Sequence, residues 1–148
     1  MGQAIQHILV TTDLSEESTR AFPTAVQFAS ALGARITVLY VLPAMDVNPI
    51  SSPFVSPIRP PSDEELLRLA DADLQALRPK FPGVKLEFAS RVASDIAAEV
   101  ERFAAGSGAD LIVLASHGRT GLRRIVMGSI AEQILRHATR PVLIVPLR

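Results

Sequence analysis

The sequence predicts an α/β fold: a single doubly wound, Rossmann-like domain spanning residues 1–148. Three observations carry that reading. Five apolar, β-rich runs alternate with helical patterns, with no break in composition along the chain. The runs are mostly continuously apolar, as parallel strands covered on both faces require. A chain of 148 residues also suffices for one domain that buries most of its apolar surface without disulfides.

Ile5 to Thr12 is the first run, closed by Asp13, and reads as a buried strand entering a polar turn. Ser15 is placed to cap a helix, with Glu16 and Glu17 in its first turn. Ala21, Phe22, Ala25, Phe28, Ala29 and Leu32 then recur at helical spacing until Gly33 stops the pattern. Pro23 lies inside it and should kink the helix or delay its regular part. Arg35 to Leu42 is a second buried strand. Pro43 to Pro61 carries six prolines, which exclude a helix or a central strand and predict a long mobile loop. Ser62 with Glu65 forms a capping box. The helix it opens places Leu66, Leu69, Ala70, Asp73 and Leu77 at three- or four-residue steps, and Pro79 closes it.

Val84 to Ser90 is a third strand, nearer a sheet edge. Ser94 is placed to cap a helix that carries Ile96, Val100, Phe103 and Ala104 on one face, ended by Gly106 and Gly108. Asp110 to Ala115 is the fourth strand and the most apolar. After the polar, arginine-rich stretch from Ser116 to Met127, Gly128 and Ser129 start a last helix through Ile130, Ile134 and Leu135. Pro141 to Pro146 is the fifth strand. In such a sheet, ligands sit at the carboxyl ends of strands where strand order reverses. That rule selects Thr11 to Asp13, Val41 to Pro43, and Ala115 to Ser129.

Composition narrows the function. Hydrophobic residues make up 48% and charged residues 20%, the profile of a globular chain. No cysteine is present, so thiolate catalysis and cysteine-based zinc sites are excluded. The three histidines, His7, His117 and His137, show no metal-ligand spacing. Fifteen basic residues balance fifteen acidic ones, which argues against general nucleic-acid binding. The balance is local, however: residues 116–148 hold six arginines against Glu132 alone, a pattern that suits an anionic group. The first ten residues do not read as a signal peptide. No apolar run approaches the roughly 20 residues needed to span a bilayer. The expectation is a cytoplasmic protein without a membrane partner.

The informative segment begins at Ala115-Ser116-His117-Gly118 and, nine residues later, closes with Gly128-Ser129. It leaves a strand and enters a helix. Gly118 can take positive φ and let backbone approach a phosphate. Gly128 and Ser129 lie at a helix N-terminus, where free N–H groups favour anions. There is no Gly-x-x-x-x-Gly-Lys-Ser/Thr run, no Gly-x-Gly-x-x-Gly after the first strand and no Gly-x-Ser-x-Gly elbow. A P-loop nucleoside triphosphatase is therefore excluded on motif, and a dinucleotide dehydrogenase and a serine hydrolase of that type lack their signatures.

Here the sequence resembles the universal stress protein family over nearly its whole length. The resemblance lies in HILVTTDLSEES, ITVLYVLP and the closing run GADLIVLASHGRTGLRRIVMGSIAEQILRHATRPVLIVP. It implies strand order 3-2-1-4-5, ATP as ligand, magnesium as its companion and a homodimer through the C-terminal strand. The family's ATP-binding members carry Gly, two residues, Gly, nine residues, then Gly and Ser or Thr. Gly118, Gly128 and Ser129 match this pattern, and Ala115 replaces its first glycine. Asp13 matches the acidic residue near the adenosine and magnesium, and Val41 the position whose backbone reads the adenine edge. Ser116, His117, Arg119 and Thr120 fall in the loop that wraps the phosphates. Thr12 and Ile130 complete the nucleotide-binding set.

Two other readings stand beside an ATP-binding regulatory module: a nucleotide-free dimeric interaction protein, and a slow magnesium-dependent ATPase with Asp13 as its candidate metal ligand. The sequence names no protein partner. The Pro-rich loop carries its own expectation. Amides between Pro43 and Pro61 should show little hydrogen-exchange protection in the free protein, and strong protection there would contradict a mobile loop.

Overall fold

In the computed structural model, residues 2–45, 59–117 and 127–146 are described. Residues 46–58 of the Pro-rich segment lie outside them, as do Gly118, Arg119 and Thr120. The loop expectation therefore falls largely outside the described residues, and its start is corrected: the second strand runs through Pro43, and the Ala44 N–H donates to the Ala93 carbonyl at 3.0 Å.

Five strands, β1 (His7–Thr12), β2 (Arg35–Pro43), β3 (Leu86–Ala93), β4 (Leu111–Ala115) and β5 (Val142–Val145), form one sheet in the order β3-β2-β1-β4-β5. Every pairing is parallel. Ile8 pairs with Ile36 on one side and Leu111 on the other, so β1 is the central strand. Alternation sends Ile8, Val10, Ile36, Val38, Leu111 and Val113 to one face and Leu9, Leu39, Ile112 and Leu114 to the other. Each set is the floor of its own core, which is why these strands read as continuously apolar.

The short helix α1 (Glu16–Thr19) lies against β1 and β4; helices α2 (Phe22–Leu32) and α3 (Asp63–Gln75) belong to the first core, and α4 (Ile96–Ser107) and α5 (Ser129–His137) cover the second core. Small residues let helices lie close to the strands: Ala21, Ala25 and Ala29 on one face, Ala97, Ala104 and Ala131 on the other. Phe22 and Phe81 pack with ring centroids 4.7 Å apart.

Local details refine the sequence reading. The first helix is split, and Pro23 sits in the opening turn of α2, where its missing N–H costs no helical bond. Phe28 and Leu32 are 40% and 48% exposed, so the buried face of α2 is narrower than the apolar pattern. Leu69 and Leu135 likewise face outward, while Leu74, passed over in the pattern, is fully buried. The capping box of Ser62 and Glu65 forms as expected. Asp95, rather than Ser94, caps α4 by accepting from the Ala98 N–H at 2.9 Å. Gly106 lies within α4, and Gly108 ends it with φ 69°. The third strand begins and ends later than expected, but it does lie at an edge.

The two edges differ. In β5, the Pro141 and Val145 carbonyls accept from the N–H groups of Ile112 and Ser116 at 3.0 and 2.9 Å. Alternate residues of a parallel strand bond to the same neighbour. The N–H and C=O groups of Val142 and Ile144 therefore point away from β4. At the opposite edge, Lys85 and Ala93 bond to β2, so the groups of Ser90 point outward. There the Arg91 guanidinium folds back to donate to the Ser90 carbonyl at 2.7 Å, and it stacks 4.9 Å from the Phe103 ring centroid.

The amino ends of the strands are tied by Asp110, whose Oδ2 accepts from the Gln6 and His7 N–H groups at 2.9 and 3.0 Å. His7 is buried, its Nε2 2.7 Å from Thr37 Oγ1. Burial, and after it the Arg35 charge, pushes its pKa below the ordinary 6.5. The unfolded chain thus takes up a proton as pH falls through 6.5 while the folded chain does not. Stability from this group is complete above that value and declines as pH drops below it. Denaturant midpoints measured from about pH 7.5 down to 5 should fall. In His7→Asn the slope should be shallower, and an unchanged slope would remove His7 as its source.

Candidate functional site

A cavity of about 270 Å³ opens at the carboxyl ends of β1, β2 and β4 and at the start of α5. It lies where strand order reverses about β1, the place the sequence rule selects. Its lining has two parts. One is an apolar slot made by Leu39, Val41 and Leu114 from the sheet, faced by Ile96 and Val100 of α4 and Ile134 of α5. The other is polar, with Thr12, Asp13, Ser116, His117 and Ser129.

The polar part begins in the turn after β1. Leu14 has φ 66°, a left-handed conformation that costs a non-glycine residue on the order of 1 kcal/mol. Hydrogen bonds hold this turn. The Leu14 N–H donates to Thr12 Oγ1 at 3.0 Å, and the Ser15 N–H donates to Asp13 Oδ1 at 3.0 Å. The Ser15 hydroxyl also donates to Asp13 Oδ1 and accepts from the Ser18 N–H, which caps α1. Thr12 Oγ1 lies 2.8 Å from Ser18 Oγ. Asp13 is thus both a turn-forming residue and the one carboxylate among the described residues lining the cavity.

The other side is the junction of β4 and α5. Ala115 ends β4 with no positive φ, so its methyl group introduces no backbone strain at the place of the first motif glycine. The Gly128 N–H donates to the Ser116 carbonyl at 2.8 Å, joining the two ends of the intervening segment. Gly128 itself has φ −58°, so a left-handed conformation is not the reason for glycine here. A Cβ at this position would lie 3.1 Å from the Ser116 carbonyl oxygen and 3.6 Å from the His117 Cα. Close approach to its own chain therefore favours glycine at position 128. Ser116 Oγ lies 3.1 Å from His117 Nδ1.

Ser129 is the first residue of α5 and makes no capping bond; Gly128, at the cap position, has no side chain to offer. The first N–H groups of a helix have no carbonyl of their own helix to bond. At α5 these groups belong to Ser129, Ile130 and Ala131, all on the cavity wall. The arrangement can receive a flat apolar group in the slot and an anionic group at the helix end.

Of the sequence-selected residues, Thr12, Asp13, Val41, Ala115, Ser116, His117, Gly128, Ser129 and Ile130 all line this one cavity. Gly118 and Arg119 lie outside the described residues. The wall formed by Ile96, Val100 and Ile134 was read only as helical core. The four-residue steps Ile96–Val100 and Ile130–Ile134, each opening a helix beside a strand end, were the available signal.

The model of the universal stress protein family matches residues 4–146. A universal stress protein of Methanocaldococcus jannaschii is 33% identical over 143 residues, covering 93% of this chain and 80% of that protein. A universal stress protein solved in complex with cAMP has a TM-score of 0.62 at 23% identity, over 99% of this chain and 100% of its own. One from Archaeoglobus fulgidus, in complex with dAMP, has a TM-score of 0.64 at 20% identity, over 96% and 98%.

Gly128→Ala should push on the Ser116 carbonyl and weaken the closure between β4 and α5, at a cost of about 1 kcal/mol, with Gly128→Val costing more. Thermal melting with amide exchange at residue 128 measures this. A Gly128→Val protein with unchanged melting and unchanged protection would show that the contact yields freely.

Proposed function

The chain belongs to the universal stress protein family, and we propose that it is an ATP-binding regulatory module whose ligand alters its conformation or its partners. The observation that carries this reading is the joining of an apolar slot to the uncapped start of α5 in one cavity. Adenine is flat and largely apolar on its faces, and phosphate suits a helix N-terminus. The relatives solved with cAMP and dAMP bound adenine nucleotides, which supports the same class of ligand here.

In this reading the adenine enters between Val41 and Leu114 on one side and Ile96 and Val100 on the other, with the Val41 backbone at its edge. Ala115 leaves room beneath the sugar and phosphates. The phosphates meet Ser116, His117, Ser129 and the first amides of α5, and the family resemblance adds Gly118 and Arg119, which lie outside the described residues, to the set of phosphate contacts. Thr12 and Asp13 face the nucleotide from the turn after β1. Among the described residues no group of three or more His, Cys, Asp or Glu side chains could hold a metal alone. One carboxylate, Asp13, fits magnesium that arrives on the nucleotide, since that ion is often held by one or two carboxylates together with phosphates. The ion would neutralise phosphate charge.

The same reading includes a homodimer through β5. Its outward N–H and C=O groups at Val142 and Ile144 offer another chain a ladder, and an antiparallel pair about a two-fold axis would satisfy both copies.

Calorimetry with ATP and magnesium tests the ligand. The wild-type chain should bind, and Gly128→Val should lose at least about tenfold in affinity. Equal binding by a folded Gly128→Val protein would overturn the phosphate placement.

Light scattering at micromolar concentration tests the dimer. Val142→Pro and Ile144→Pro remove outward donors while sparing those directed at β4. A monomeric wild-type mass would reject the dimer, and a dimer that survives both folded variants would place the interface elsewhere.

A further inference from the structure

We propose that Leu14 is a positioning residue: its side chain, anchored in the core beside β1, selects the turn that aims Thr12 and Asp13 into the cavity. Among the described residues Leu14 alone is non-glycine with positive φ. Gly33, Gly83 and Gly108 occupy the same region without a Cβ penalty. The conformation at Leu14 must therefore be imposed by its surroundings.

Two sets of contacts impose it. The first is polar: the Leu14 N–H on Thr12 Oγ1, the Ser15 N–H on Asp13 Oδ1, and the approach of Thr12 to Ser18. These contacts require the chain to reverse at residue 14, but they involve only neighbours within six positions. These bonds are buried or part-buried and set the local shape of the turn. The second is apolar: the Leu14 side chain is half-buried and packs against the core that contains Val10, Phe22 and Ala115. That contact joins the turn to the sheet. Withdrawing Leu14 from left-handed backbone would also withdraw its side chain from the core, so burial and turn geometry stand or fall together.

A glycine here would accept the same φ without strain, yet it would have no anchor and would populate both signs of φ. A methionine would keep an unbranched apolar chain able to fill the same space. The two substitutions separate backbone permissiveness from anchorage.

The test uses the full chain, without ligand first. Amide exchange is compared in the wild type, Leu14→Gly, Leu14→Ala and Leu14→Met. Protection of the Ser15 and Ser18 amides should fall about tenfold or more in the glycine and alanine variants, relative to strands β1 and β4 of the same protein. It should stay within about twofold of wild type in the methionine variant. Unchanged protection in Leu14→Gly would overturn the proposal, as would equal losses in the turn and the sheet. Failure of methionine to restore the turn would overturn the anchorage. Should the glycine variant not fold, the alanine variant decides by the same criteria.

The nucleotide arm rests on the ATP-binding reading. ATP affinity should drop about tenfold in Leu14→Gly and recover in Leu14→Met. If wild-type protein binds no ATP, that reading fails, while the exchange comparison still decides whether Leu14 sets the turn.

Discussion

Parallel pairing of β1 with both β2 and β4 is the constraint on which the rest depends. Parallel neighbours cannot be joined by a hairpin, so each connection must cross a face of the sheet with a helix. The connections toward β2 and β3 run over one face, and those toward β4 and β5 run over the other. At the carboxyl end of β1 the two sets of crossovers part, and among the described residues no helix lies directly over the gap. The cavity is a consequence of the winding. Its apolar slot is a continuation of the core beside Leu39 and Leu114.

Two short backbone devices then give this gap its chemistry. On one side the turn from Thr12 to Ser18 spends its side-chain oxygens on its own amides, which fixes Asp13 and caps α1 in a single network. On the other, the bond from Gly128 to the Ser116 carbonyl brings the start of α5 up against the end of β4. Between these two devices β1 and β4 are themselves paired, from Ile8 to Val10 on β1. The polar groups are held by rigid elements on both sides, which is how a binding surface can be ordered before a ligand arrives.

The fold was legible because parallel buried strands leave a plain trace: runs such as RITVLYVL and DLIVLA admit few other arrangements. Caps were legible where one residue type was decisive, as at Ser62 and Ser15, and less so where Ser94 and Asp95 competed at adjacent positions. Helix faces were less legible. A helix on a sheet buries a narrow stripe of small residues, so alanine rather than leucine marked the inside of α2. At the site, the strand-end residues were found from topology and motif. The helical wall was missed, since apolar residues lining a slot look the same in sequence as those filling a core. The conformation of Leu14 was also hidden, because a leucine carries no local signal for left-handed backbone. The sequence placed Gly128 at a helix N-terminus but carried no sign of the close contact with its own chain that favours glycine there.

The unequal edges of the sheet bear on how far such a molecule can grow. A sheet with two receptive edges can add copies at both ends, and repeated addition leads to a fibre. Here the arginine that bends over the Ser90 carbonyl takes up a hydrogen-bonding position that an incoming strand would need, and its stacking on Phe103 holds it there. The far edge carries no comparable arginine among the described residues. An outward carbonyl already taken by a neighbouring arginine makes that stretch of edge a poorer template for a further strand. Charge placement on a single outer strand thus makes the two edges of the sheet unequal as surfaces for a neighbouring strand.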